Sequence, residues 1–319
     1  MVCAATPSRE RRQTPTEPRI ALAFYGLFRA IPFTFANIEA NLIAPLLDAT
    51  PFVDIFLHSL LVSRRIVERG GGGNGGDTRA SIAPAPDPFA FLAFNATRRL
   101  CSFAVEEQGV VDVDNNISER VREEWVAAGN RNLRVKHRYT RASFSNILRG
   151  TYSLFAASKL VRSREWRVGI NYSHIVFARP DIRLQTPLRW RDFPFRAVPG
   201  HLIMVPNTQH HGGLNDRFAF GTRDAMLHLA TQFPTEAAAT ALSISRGKNS
   251  EQRRAVHLNL LVPNVTIAFT PLCLVRVRSS GGVVPHDPIA RRQPFRPLPR
   301  LIPLLRPGID DTVQPCGSS

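Results

Sequence analysis

The sequence predicts an α/β protein with a mostly parallel central sheet, and three observations carry that prediction. Ile20 to Phe24 is a short apolar run that ends at Tyr25-Gly26, as a buried strand does where it opens into a loop. Phe35, Ile38, Leu42 and Leu46 then recur at helical spacing, and Val53, Ile55 and Leu57 alternate with Asp54, Phe56 and His58. Strand, helix, strand over so short a distance is a βαβ unit, and that unit implies parallel pairing.

The elements follow in order. Residues 1–18 are polar and Pro-containing and read as a flexible leader. Thr34 is the expected N-cap of the first helix. Residues 69–90 contain the run Gly70 to Gly76 and a Pro-rich stretch. With no Lys-Ser/Thr after the glycines, they predict a flexible insertion and not a phosphate loop. Ser118 to Ala128 predicts a short polar helix, and Phe144, Ile147, Leu148, Tyr152 and Phe155 begin a longer one reaching about Val161. His174 to Ala178 and Leu202 to Val205 are apolar strands, each stopped at or just before a proline. Helical patterns cover Ala225 to Phe233 and Glu251 to Leu261, the latter behind Ser250 as N-cap. Val265, Ile267 and Phe269 alternate as a strand, and Leu272 to Val277 is a further apolar run. The folded domain is expected over 19–278, with 279–319 as a Pro/Arg-rich tail.

Composition narrows the function classes. The chain has 319 residues, 44% hydrophobic and 21% charged, enough apolar material for a sizeable core and too much for a wholly disordered chain. No uninterrupted apolar run approaches the roughly 18–20 residues of a membrane span, and no export signal is readable, so a soluble protein is expected. Forty-one Lys and Arg against 25 Asp and Glu give a net charge of +16. That balance suits an anionic partner. Yet only Lys136, Lys159 and Lys248 are lysines, and the arginines are scattered singly, the pattern of a GC-rich genome's codon usage. A dedicated nucleic-acid role is therefore not favoured. Cys3, Cys101, Cys273 and Cys316 form no CxxC pair and are expected to be unpaired thiols.

Three polar constellations follow the predicted strands. Tyr25-Gly26 with Arg29 places a glycine where the chain turns and a guanidinium near a strand end, a pairing that suits phosphate. Arg179-Pro180-Asp181 places a carboxylate and an arginine at another strand end, where open α/β sheets bind ligands. The carboxylate there suits a divalent metal or a ribose hydroxyl, or else forms an ordinary ion pair with its neighbour. His210-His211-Gly212-Gly213-Leu214-Asn215-Asp216-Arg217 is dense in hydrogen-bonding groups. Asp216 there suits a general base, or a partner of Asn215 on sugar hydroxyls.

These blocks resemble the glycosyltransferase-like proteins of plants and algae. The match runs from Phe24-Tyr25-Gly26-Leu27-Phe28-Arg29 and Asp54-Ile55-Phe56-Leu57-His58, through the Lys159 to Glu165 helix and His174 to Asp181, to Gly212–Gly221 (GGLNDRFAFG) and Asn249-Ser250-Glu251. The resemblance implies a single Rossmann-like, A-type nucleotide-sugar-binding domain. The implied reaction moves a sugar from a nucleotide-sugar donor to a hydroxyl of a glycan or protein acceptor. Tyr25, Gly26, Arg29, Arg179 and Asp181 would bind the donor. His211, Asn215 and Arg217 would face sugar or acceptor, and Asp216, ahead of Glu251, would be the base. Arg179-Pro180-Asp181 occupies the place of the DxD metal motif. Arg stands at the motif's first position, so the resemblance implies either Asp181 as the ligand for Mn²⁺ or Mg²⁺, or Arg179 in place of part of the metal's charge at the diphosphate. The alternatives are a non-catalytic glycan- or nucleotide-binding protein on the same fold, and a basic nucleic-acid-binding protein. The expected location is cytoplasmic as the sequence stands, or the secretory pathway and Golgi if an N-terminal anchor precedes it.

Overall fold

The computed structural model describes residues 18–62, 67–68, 80–81, 93–127, 141–193, 201–208, 213–236, 250–261, 265–278 and 281–284. Residues 1–17 of the predicted leader, nearly all of the 69–90 insertion, the chain beyond Val284, and His210 to Gly212 lie outside these residues.

Among the described residues twelve strands are formed. They are β1 (Ile20–Gly26), β2 (Val53–Leu61), β3 (Val67–Glu68), β4 (Ala80–Ser81), β5 (Leu100–Glu107) and β6 (His174–Ala178), then β7 (Ile182–Leu184), β8 (His201–Pro206), β9 (Phe218–Thr222), β10 (Val265–Thr270), β11 (Leu274–Val277) and β12 (Val283–Val284). Seven make the central sheet in the order β10-β8-β9-β6-β1-β2-β5. All its pairings are parallel except those of β9, which runs antiparallel to both β6 and β8. The mostly parallel α/β sheet expected from the sequence is therefore present. A second sheet, β12-β11-β7, is antiparallel, and β3 pairs with β4 as a two-residue ladder.

The sheet is covered on both faces, which explains the continuous apolar character of β1. Ile20, Leu22 and Phe24 point into one core with Ile31, Ile38, Leu42 and Leu46; Ala21, Ala23 and Tyr25 point into the other with Leu154, Ala157, Val161, Met226 and Leu229. The alternation read in β2 suggests a half-buried strand, but Phe56 and His58 are as buried as Ile55 and Leu57. With β1 on one side, β5 on the other and helices on both faces, β2 has no solvent face.

The first helix, Ile31–Ile38, begins one turn earlier than expected, with Ala30 as N-cap and Pro32 in the opening turn, where its missing N–H costs nothing. Thr34 is thus no cap. Its buried hydroxyl lies 3.0 Å from the Ala30 carbonyl and 2.8 Å from that of Pro180, tying the helix to the loop after β6. A π-helical turn, Glu39–Ile43, and the helix Ala44–Ala49 continue the element. The predicted polar helix is Ile117–Ala127, and the long helix Arg141–Val168 outruns its predicted end by two turns. Strands β5 and β9 are absent from the sequence reading, β9 because Phe218-Ala219-Phe220 is too short a run to show a period. Cys101 is a buried free thiol as expected, whereas Cys273 is disulfide-bonded.

Candidate functional site

The chain leaves β1 to form β2 on one side and returns to form β6 on the other, so the sheet order reverses between β1 and β6. The crevice beyond the carboxyl ends of two such strands is the usual ligand position in an open α/β sheet. Gly26 to Arg29 and Arg179 to Asp181 sit at those ends.

The GGLNDRFAFG block arrives there because β9 is antiparallel. Its amino end, not its carboxyl end, meets the carboxyl end of β6, with Phe218 opposite Ala178. The Arg179 N–H donates to the Arg217 carbonyl (2.8 Å), which locks the two loops together. Two glycines of the block make close approaches. A Cβ at Gly213 would lie 2.1 Å from the Glu251 backbone, and one at Gly221 would lie 2.0 Å from the Leu202 carbonyl oxygen. The first approach lets the Leu214 N–H donate to the Glu251 carbonyl (2.9 Å), so helix Ser250–Leu261 starts against the loop.

At the centre is Asp181, only 1% exposed. Arg179 grips it with both edges of its fork, Nε to Oδ1 at 2.8 Å and Nη2 to Oδ2 at 2.7 Å. Oδ2 also accepts from Arg276 Nε at 3.2 Å and faces Arg29 Nη2 at 3.9 Å. Burial would raise this carboxyl group, but Arg179, Arg276 and Arg29 hold it far below the usual carboxylate range. Burial, followed by repulsion from Arg276, Arg179 and Arg278 and against the pull of Asp181, pushes Arg29 down to about 9. Burial and the same crowding bring Arg276 to about 10 and also lower Arg278. Asp181 thus neutralises only part of the charge gathered around it.

Asp216, Arg217 and Glu251 lie alongside. Arg217 pairs with both acids, at 3.7 Å to Asp216 and 3.8 Å to Glu251. The two carboxyl groups are pushed apart. Burial raises Asp216, but Arg217, Arg179 and Arg254 outweigh it and hold Asp216 at about 2. Burial and the nearby Asp216 charge raise Glu251 to about 7, with Arg217 opposing only in part. Asp216 and Glu251, the two expected base candidates, therefore sit in environments that shift them in opposite directions.

Several predicted residues are engaged inside the protein. Tyr25, 3% exposed, donates its hydroxyl to the Asp216 carbonyl (2.7 Å) and accepts from Arg254 Nη2 (3.5 Å), so it supports the loop from beneath. Asn215 is fully buried: its Oδ1 accepts from the N–H groups of Arg217 and Phe218, and its Nδ2 donates to the Thr208 carbonyl. Gly26 adopts φ +107°, which favours glycine, and its N–H donates to Ser153 Oγ at 2.7 Å. Ser153 in turn lies 2.7 Å from His58 Nδ1, so the long helix and β2 together fix the exit of β1. His211 lies outside the described residues.

Arg254, Arg276 and Arg278 are missing from the sequence reading. A signal for the last two exists: Val275, Arg276, Val277 and Arg278 alternate, which puts both arginines on one face of an extended segment. What the alternation omits is that β11 pairs with β7, immediately after Asp181, and so carries those arginines into the crevice.

The expected Mn²⁺ or Mg²⁺ does not fit this donor set. Such ions take several hard oxygen ligands, while both Asp181 oxygens already accept from guanidinium groups. Among the described residues there is no group of three or more His, Cys, Asp or Glu placed to hold a metal.

A cavity of about 490 Å³, lined in part by Glu165, Trp166 and Arg223, lies at the opposite, amino-terminal edge of the sheet and shares no residue with this crevice. Among the described residues no helix is long and apolar enough to cross a membrane.

No family model matches the chain, and no curated protein matches it. Among solved structures it is similar to mouse xyloside xylosyltransferase 1 in its apo form, with a TM-score of 0.37 and 9% identity over 79% of this chain and 84% of that one. The plant and algal family read from the motifs therefore rests on those motifs, and the functional reading rests on the crevice.

Proposed function

We propose that the protein is a glycosyltransferase that takes a nucleotide-sugar donor at the carboxyl edge between β1 and β6 and transfers its sugar to a hydroxyl of a glycan or protein acceptor. One observation carries the reading. Six arginines (Arg29, Arg179, Arg217, Arg254, Arg276, Arg278) gather around three carboxyl groups (Asp181, Asp216, Glu251) at the switch point of an α/β sheet. An excess of fixed positive charge in that crevice suits an anionic donor, and it stabilises the nucleoside diphosphate that departs. In the proposed step the acceptor oxygen bonds to the anomeric carbon, the bond to the diphosphate oxygen breaks, and its electron pair leaves with the diphosphate. The acceptor's proton passes to Glu251, whose carboxyl group titrates near neutrality because it is buried beside Asp216.

A second reading, binding of a nucleotide or glycan without turnover, is favoured by the ion pairs that already occupy Asp181, Asp216 and Glu251. Thermal unfolding against a panel of nucleoside diphosphates and nucleotide sugars, followed by product analysis on any donor that binds, separates the two. A ligand at 100 times its Kd adds about 2.7 kcal/mol, a shift of several degrees. Base-selective stabilisation with sugar release or transfer supports the enzyme, stabilisation without turnover supports a nucleotide binder, and no shift with any nucleotide overturns the enzyme and moves the reading to glycan binding without turnover.

A further inference from the structure

We propose that guanidinium groups, and not a divalent cation, hold the donor's diphosphate in this site, with Arg179, Arg276 and Arg278 as the binding residues. The inference rests on the proposed function for the identity of the ligand, but it is carried by the state of the donors themselves.

Arg179 spends Nε and Nη2 on Asp181, and Arg276 spends only Nε. Nη1 of Arg179 and both terminal nitrogens of Arg276 therefore make no hydrogen bond among the described residues. These side chains are 24% and 23% exposed, so their unused edges reach the crevice while Asp181, at 1%, does not. Arg217 adds to the surplus: its Nε and Nη1 are buried without a hydrogen-bond partner. A guanidinium is effectively always charged and presents a planar fork that matches phosphate oxygens. Asp181 plays an unusual part in this arrangement for a residue at the DxD place. It fixes the forks of Arg179 and Arg276 from behind and leaves their outer edges free. Burial first, and then crowding of like charge, lowers Arg29, Arg276 and Arg278, and a bound polyanion would relieve the crowding. A divalent cation entering the same place would meet that repulsion directly and would have to displace Arg179 from both Asp181 oxygens.

The test is calorimetric titration of the full chain with inorganic pyrophosphate at fixed ionic strength, in EDTA and again with Mn²⁺. Binding is expected in EDTA. Arg276→Ala and Arg278→Ala are each expected to weaken it by about tenfold or more, as loss of a charge-assisted contact does, and Arg276→Lys by less. Should Arg276→Ala fail to fold, Arg278→Ala decides alone. Binding that needs Mn²⁺, or binding in EDTA that neither variant weakens, overturns the inference. The two proposals fail separately. Donor turnover only with Mn²⁺ keeps the enzyme and removes the metal-free clamp; pyrophosphate bound at these arginines with no sugar nucleotide turned over does the reverse.

Discussion

The two edges of the central sheet use arginine in opposite ways. At the amino-terminal edge, Arg19, Arg164 and Arg223 meet Asp54, Glu165 and Asp224, so each guanidinium has a carboxylate to face. Arg223 grips Glu165 with its Nε and Nη2, Glu165 accepts the Tyr172 N–H, and the Tyr172 hydroxyl donates to Asp54 at 2.5 Å. That is a closed network that fastens the long helix to the start of β6. At the carboxyl edge six arginines crowd three carboxyl groups, and donor edges of Arg179 and Arg276 are left over. Matched charge holds structure together, whereas surplus charge on partly exposed forks suits the anionic ligand proposed for the crevice. The cavity lies at the matched edge and the proposed chemistry at the crowded one, so concavity and charge point to different ends of the sheet.

The largest expected effect contrasts the two acids. Asp181→Asn removes the carboxylate that bonds Arg179 and Arg276 and faces Arg29 at their meeting point and is expected to cost about 3–5 kcal/mol. Glu165→Gln keeps an acceptor for the Tyr172 N–H and faces an arginine that is 30% exposed, and is expected to cost about 1–2 kcal/mol. Urea unfolding of both variants gives the ranking, and equal costs would break the contrast between the edges.

Glu251 sharpens it. Its folded-state value of about 7 lies above the ordinary 4.5, so the folded protein binds the extra proton and gains stability at low pH. That stability is lost as pH rises from about 4.5 through 7. Glu251→Gln is therefore expected to be more stable than the parent at pH 8, by on the order of 2 kcal/mol, and to show little difference at pH 5. Asp216→Asn removes the charge that helps raise Glu251, so the acid limb of any transfer activity should move to lower pH. A limb that stays in place would exclude Glu251 as the base.

The smallest effect is expected at the matched edge. Trp166 is 85% exposed, and Trp166→Ala should change stability by no more than about 0.5 kcal/mol and leave pyrophosphate binding unaltered. Weakened binding in that variant, read in the same titration, would move the anion site to the cavity.

Much of the frame was legible because it is local. The βαβ opening of β1, helix and β2 follows from apolar period and a turn at Tyr25-Gly26, and the prolines after β6 and at the end of β8 mark where the strands stop. Thr34 misled because a hydroxyl before an apolar run reads as a cap, whereas this one is spent on the Pro180 carbonyl across the fold. Asn215 misled for a similar reason. Amide density in a loop suggests a ligand, but its side chain holds the turn of the loop that carries Arg217.

By itself, then, the sequence determined the fold class and the strand ends at which Arg29, Arg179 and Asp181 sit, since each depends on residues near one another in the chain. Only the tertiary structure decided what those residues face. The antiparallel entry of β9 brings Arg217 against Arg179, and the pairing of β11 with β7 brings Arg276 across 95 positions to Asp181. Charge acts through space and burial, not along the chain. A residue that reads as a metal ligand in sequence therefore became, in the folded protein, the anchor of an arginine cluster.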